Sequence, residues 1–279
     1  MRVNYLYNQG SAKISEDTII FYPPLWFGVS DGTTGVYLPN NGPRLFDGKT
    51  GGQVASQTLS VTFGLAGCND DIENVLRRAN RKVGKIAKAN GIPLCESHLL
   101  PSTTYAIAKI DTKRIIVMQG GDALAVWELK NGTIGGTPNK VFAYEKILLH
   151  IIASILRRNG GDRLKMWREF APLLAEKRKA NYNKPTGGFS ILNGQPEFDK
   201  LWQKFAFRPD ELSLLILFSD GLVPFEWTED PVYLAKKVIG HYRLGGLEAV
   251  LATSRKIAKQ NAAVSHESEP EATAVAIEF

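Results

Sequence analysis

The chain has 279 residues, 44% of them hydrophobic and 22% charged, with a net charge of +6. These values exclude a disordered or fibrous protein and suit a soluble fold with a sizeable core. No apolar run approaches the roughly 18 residues of a membrane span, the amino terminus carries no signal-peptide core, and no basic run exceeds a few residues, so neither membrane nor nucleic acid is expected as a partner. A cytoplasmic location is expected. Cys68 and Cys95 fit neither a metal-binding spacing nor a disulfide framework, and both are expected as buried thiols.

In chain order, strands are predicted over 3–6, 17–22 and 25–30, followed by a Gly/Asn/Pro-rich loop over 32–52. A connection of that length inside a compact domain is usually functional. Residues 53–63 read as a helix. A longer one follows, capped by Asn69 or Asp70, with Ile72, Val75, Leu76, Ala79 and Val83 at helical spacing. Its other face carries Arg77, Arg78, Arg81, Lys82, Lys85 and Lys88, a pattern that ordinarily marks a solvated face.

A meander comes next, with strands over 103–110, 114–119 and 124–129, and Asn131-Gly132 signals a type I′ hairpin. Residues 142–158 form a strongly apolar helix, on which His150 reads as a core residue. Residues 164–178 form a second helix, with Lys177–Lys179 as a solvated face. A strand over 189–192, a short helix over 199–205 and a buried strand over 212–218 follow. Two more helices over 232–239 and 247–259, a polar loop over 260–270 and a closing strand over 272–279 complete the chain. Strands arranged in meanders, rather than in strict strand–helix alternation, argue for an α+β class with antiparallel sheets and helices outside.

Two buried strands end in the same tripeptide, Ser30-Asp31-Gly32 and Ser219-Asp220-Gly221. Taken singly, each Asp-Gly would also suit a hairpin turn. A charged carboxylate where a core strand surfaces is costly unless paired. Two brought together repel, and a divalent cation is the usual resolution. Further acidic residues stand at strand ends or turns: Glu16, Asp17, Asp122, Glu269 and Glu271. An all-oxygen set without Cys or His suits Mg²⁺ or Mn²⁺. Two such ions can activate a water and neutralise a phosphoryl group, with no side-chain nucleophile needed.

These segments resemble, in order along most of the chain, the type 2C metal-dependent serine/threonine protein phosphatases. Ser15-Glu16-Asp17 is similar to that family's Asn-Glu-Asp segment, and Phe27–Gly32 to its strand ending in Asp-Gly. Gly121-Asp122-Ala123 resembles its Gly-Asp-Ser element, Phe218–Leu222 its Ser-Asp-Gly-Leu element, and Glu271–Ile277 its closing strand. Lys179–Leu192 further resembles a bacterial branch with a helical insertion before that stretch.

The resemblance implies one domain over 1–279, a four-layer α-β-β-α sandwich with a helical insertion at about 141–185. It implies two metal ions, with a looser third. Asp31 would bridge two ions, the Gly32 carbonyl, Glu16 and Asp17 would serve one, and Asp220 the other. Asp122 with Asp220 would shape the third site. The substrate would be a phosphoserine or phosphothreonine protein, and a cognate kinase would be its counterpart.

Three departures stand out. Pro270 occupies the place of the closing metal aspartate, leaving Glu269 or Glu271 to substitute. Ala12 stands where a phosphate-binding arginine is usual, with Lys13 beside it as the substrate-binding candidate. Thr33-Thr34-Gly35 replaces a histidine-containing segment. They leave open a catalytically degenerate pseudophosphatase that binds a partner or phosphoprotein, with Arg77–Lys88 as a docking face. Gly28-Val29-Ser30-Asp31-Gly32 also matches the serine-hydrolase elbow, although that elbow requires a helix directly after its serine.

Overall fold

A computed structural model describes residues 1–11, 13–36, 44–260 and 269–279. Ala12, part of the 32–52 loop and most of the 260–270 loop therefore lie outside the described residues. The strands are β1 (Arg2–Asn8), β2 (Thr18–Tyr22), β3 (Trp26–Thr33), β4 (Ser102–Ile110), β5 (Ile115–Gly120), β6 (Leu124–Leu129), β7 (Ile134–Gly136), β8 (Gln203–Phe207), β9 (Leu212–Phe218) and β10 (Ala272–Glu278). The helices are α1 (Gly51–Gly64), α2 (Ile72–Ala89), α3 (Phe142–Arg158), α4 (Arg163–Asn181) and α5 (Pro231–Gln260), the last broken at Gly245-Gly246.

The strands form two antiparallel five-stranded sheets, ordered β1-β10-β9-β6-β7 and β2-β3-β4-β5-β8. Strand alternation explains how they stack. On β9, Leu215 and Leu217 face the second sheet, while Leu214, Ile216 and Phe218 pack under α5. On β3, Phe27 and Val29 face the first sheet and Trp26 packs against α1 and α2. Both faces of each central strand are thus buried, which is why each reads as a continuous apolar run. The result is the expected α-β-β-α sandwich, with α5 on one outside and α1 and α2 on the other.

Several local expectations are corrected. Residues 203–205, expected at the end of a short helix over 199–205, instead belong to the edge strand β8. A 3-10 turn over Pro196–Lys200 precedes it. Residues 189–192 make only isolated bridges. The β6–β7 hairpin exists, but Asn131 keeps a negative φ and only Gly132 is left-handed, at φ 83°. The Asn131 side chain accepts the Thr133 N–H at 2.9 Å, which holds Asn131 outside the type I′ geometry. Cys68 and Cys95 are exposed, because each lies in a connection flanking α2 rather than on its apolar face. His150 is exposed as well, its ring bonded to the Lys146 carbonyl at 2.6 Å. Helix α3 packs mainly on α4, around Ile155, Met166, Phe170 and Leu174, so much of its apolar surface is only partly covered.

Candidate metal centre

The alternation that buries Phe27 and Val29 between the sheets carries on to Asp31, which shares their face of β3. Asp31 pairs with Thr104 of β4 and ends the row at the mouth of the sandwich. It closes no hairpin. Other acidic residues reach the same mouth where the chain passes between sheets or leaves a strand. Glu16 and Asp17 lie between β1 and β2, and Asp122 lies between β5 and β6. Asp220 opens a 3-10 turn after β9, and Glu271 precedes β10. They line a cavity of about 420 Å³ together with Tyr144, Glu145, Arg178 and Tyr182 from the helical pair and the segment that follows it.

Two glycines make this convergence possible. A Cβ on Gly32 would lie 2.6 Å from the carbonyl oxygens of Glu16 and Gly52, and one on Gly221 would lie 1.8 Å from that of Glu271. Three chain segments therefore meet at Gly32, and the joint carrying Asp220 sits directly on the start of β10.

The electrostatics are those of crowded, largely buried carboxylates. Burial, reinforced by the charges of Asp17, Asp220 and Asp122, holds the Asp31 carboxyl well above the ordinary range. Burial pushes Asp17 up to about 7, with the charges of Glu271 and Asp220 adding to the effect; the neighbouring Ser219 and Thr273 side chains oppose it. Glu145 is raised in the same way, by burial and then by Asp122 and Asp220. One carboxylate oxygen each on Asp122, Glu145 and Asp220 lies within 4.8 Å of the others. Asp17 Oδ2 and Asp122 Oδ1 are buried without any hydrogen-bond partner. Orphaned buried carboxylate oxygens in an all-oxygen cluster fit a hard divalent cation.

The remaining sequence candidates divide. The Glu16 carboxylate accepts hydrogen bonds from Thr34 and Thr50 at the cavity edge, against Gly52. Glu271 lines the cavity, but its oxygens accept from Ser15 Oγ at 2.6 Å, Glu16 N at 2.8 Å and Tyr7 Oη at 2.9 Å, so it braces the segment bearing Glu16 and Asp17. Glu269 faces Lys259 at 3.4 Å and does not line the cavity. Lys13 is exposed and does not line it either. Pro270 does. On α2, Arg77 pairs with Asp199 and Arg78 with Asp70, both at 2.9 Å, which leaves a partly neutralised solvated face.

Ser30 is fully buried, its hydroxyl 2.7 Å from that of Thr103, and β3 continues through Thr33. A serine-hydrolase elbow is thereby excluded. Glu145 and Arg178 went unread in the sequence. Glu145 had the pattern of an acidic residue in a first helical turn, and Arg178 that of a solvated basic run.

The architecture has close structural counterparts. The Mycobacterium tuberculosis serine/threonine phosphatase PstP/Ppp superposes with a TM-score of 0.58 at 14% identity, over 100% of this chain and 98% of its own. The chain has the fold of the bacterial serine/threonine phosphatases. Stp1 from Staphylococcus aureus gives 0.55 at 15% identity, over 99% and 94%. PppA of Pseudomonas aeruginosa, a regulatory component of that organism's T6SS, gives 0.56 at 15%, over 100% and 97%. The catalytic domain of PstP has been solved in complex with two manganese ions. No protein-family model and no curated protein sequence matches the chain. Among the described residues, no helix is long and apolar enough to cross a membrane.

Proposed function

We propose that this protein is a divalent-metal-dependent phosphatase acting on phosphoserine or phosphothreonine in proteins. The observation that carries the reading is the convergence of Asp17, Asp31, Asp122, Glu145 and Asp220 at one mouth of the sandwich, with buried oxygens left unpartnered. The donor set suits Mn²⁺ or Mg²⁺. Asp31 stands centrally and would bridge two ions. Asp17, the Gly32 carbonyl and Glu16 would serve one of them, and Asp220 the other. Asp122 and Glu145 with Asp220 would hold a third. The ions would supply an activated water and shield the phosphoryl oxygens.

The chain's own residues orient and neutralise. Among the described residues no Ser, Cys or His lines the cavity. Asp17 and Asp31 must give up the protons they hold when the site is empty before they can ligate. Glu271 keeps the Glu16–Asp17 segment in place through its three hydrogen bonds. We read Phe142–Asn181 as a helical insertion that walls one side of the cavity and brings Glu145 to the place Pro270 leaves without a ligand.

The test is phosphate release from a phosphoserine peptide with Mn²⁺ and with EDTA. Release that depends on Mn²⁺ and stops with EDTA is the expected result. Tight Mn²⁺ uptake with no release from phosphoserine or phosphothreonine peptides would mark the chain as a binding module instead.

A further inference from the structure

Among the described residues, seven carboxylates line the cavity, and Arg178 is the single basic side chain with them. One would expect a guanidinium in that company to pair with a carboxylate. Among the described residues Arg178 forms no ion pair; its Nη1 instead donates to the Thr34 carbonyl at 2.8 Å. The Tyr182 ring lies 5.5 Å from the guanidinium carbon. Its Nε is buried with no hydrogen-bond partner. A guanidinium offers five N–H donors in a planar fork, and a buried donor left unused is costly until an acceptor arrives.

We propose that Arg178 is the group that receives the phosphate of the substrate. This rests on the metal-dependent reading above. The one surplus positive charge among the described residues of an acidic cavity is where a phosphate dianion meets attraction from the protein itself. The fork matches two phosphate oxygens at once, which a lysine ammonium does not. The Thr34 carbonyl ties the guanidinium to the strand end that also carries Asp31, so the receiving group and the central carboxylate are fixed to one segment. Lys13, which the sequence offered for this task, points into solvent. The helical pair would thus contribute recognition as well as a wall. It would also make the site selective for phosphate dianions over neutral esters of similar size.

The experiment compares wild type, Arg178→Gln and Arg178→Lys, each loaded with Mn²⁺. It measures KM and kcat for a phosphoserine peptide, inhibition by inorganic phosphate, and Mn²⁺ affinity by calorimetry. Gln keeps a donor for the Thr34 carbonyl and loses the charge; Lys keeps the charge and loses the fork. The expected result for Arg178→Gln is a rise of about tenfold or more in both KM and the phosphate inhibition constant. Its Mn²⁺ affinity should be unchanged or tighter, because a nearby cation has gone. Arg178→Lys should fall between. A rise in KM for the peptide without a matching rise for free phosphate would assign Arg178 to the peptide chain and overturn the proposal. Unchanged constants in both variants would also overturn it, and so would a loss in Lys13→Ala that both Arg178 variants lack. If Arg178→Gln fails to fold, unchanged constants in Arg178→Lys alone suffice to overturn it. Normal Mn²⁺ uptake and turnover in these variants would sink this inference and leave the phosphatase reading intact. Absence of Mn²⁺ uptake by wild type would sink both.

Discussion

The carboxyl group of Asp31, on strand β3 of one sheet, shares a cavity with the carboxyl group of Asp220, at the end of β9 of the other, and the charge of Asp220 helps to raise Asp31. Carboxylates crowded in this way are relieved by a proton or a cation. Asp31→Asn and Asp220→Asn keep the shape and remove one charge each. Turnover should fall at least about 10²-fold in each variant. The metal-free variants should nevertheless melt no lower than wild type at neutral pH, because an amide is neutral without having to bind a proton. Phosphate release and calorimetric melting check the two halves separately. Full activity in either variant would remove that residue from the mechanism.

The metal-free protein should lose stability as pH rises. Asp17, lifted to about 7, and Asp31 and Glu145, held above the ordinary carboxylate range, bind protons in the native state that they release in the unfolded chain above about pH 4. The folded state therefore carries more protons across that window, and the free energy of unfolding falls as pH climbs through it. In EDTA the melting temperature should be higher near pH 5 than near pH 8. Mn²⁺ competes with those protons, so it should stabilise the protein most at about pH 8. Melting curves at the two pH values, with and without Mn²⁺, decide the point, and a flat profile in EDTA would contradict it.

Glu145 reaches the cavity from α3, and its carboxylate lies with those of Asp122 and Asp220. Glu145→Gln preserves size and hydrogen bonding but lowers the charge. It should weaken one class of Mn²⁺ site by about tenfold or more. The bridging pair of sites should remain detectable. Calorimetric titration distinguishes this outcome from uniform weakening of every site, which would point to a loosened helical pair instead.

Gly221→Ala tests how tightly the Asp220 joint is built. The added Cβ would fall 1.8 Å from the Glu271 carbonyl oxygen, a backbone atom that cannot swing aside. Overpacking of this kind costs about 1–3 kcal/mol. The variant should melt lower than wild type and bind Mn²⁺ more weakly, because the strain displaces Asp220. Normal melting would show that β10 shifts freely at its start.

Much of the site was legible because its residues end apolar runs. The runs through Phe27–Val29 and Leu215–Leu217 read as buried strands, and Asp31 and Asp220 follow directly from them. Asp17, Asp122 and Glu271 were legible as acidic residues at turns. Glu145 and Arg178 were not, because they lie on helices whose packing against the sandwich leaves no local pattern. Helical periodicity says which face of α3 or α4 is apolar and nothing about which distant strand end it meets. Strand β8 was hidden for a related reason. It is a five-residue edge strand whose alternation is too short to outweigh the helical reading of the turn before it. Lys13 and Glu269 looked suitable by charge and position, yet their side chains turn away from the cavity.

Under the proposed function, a divalent cation relieves the crowding between Asp31 and Asp220. Anomalous diffraction from a crystal grown with Mn²⁺ measures this directly. Peaks within coordination distance of both carboxylates, with at least one ion touching Asp31 and Asp220 together, are the predicted result. A fully occupied manganese data set with no peak at that mouth of the sandwich would contradict it.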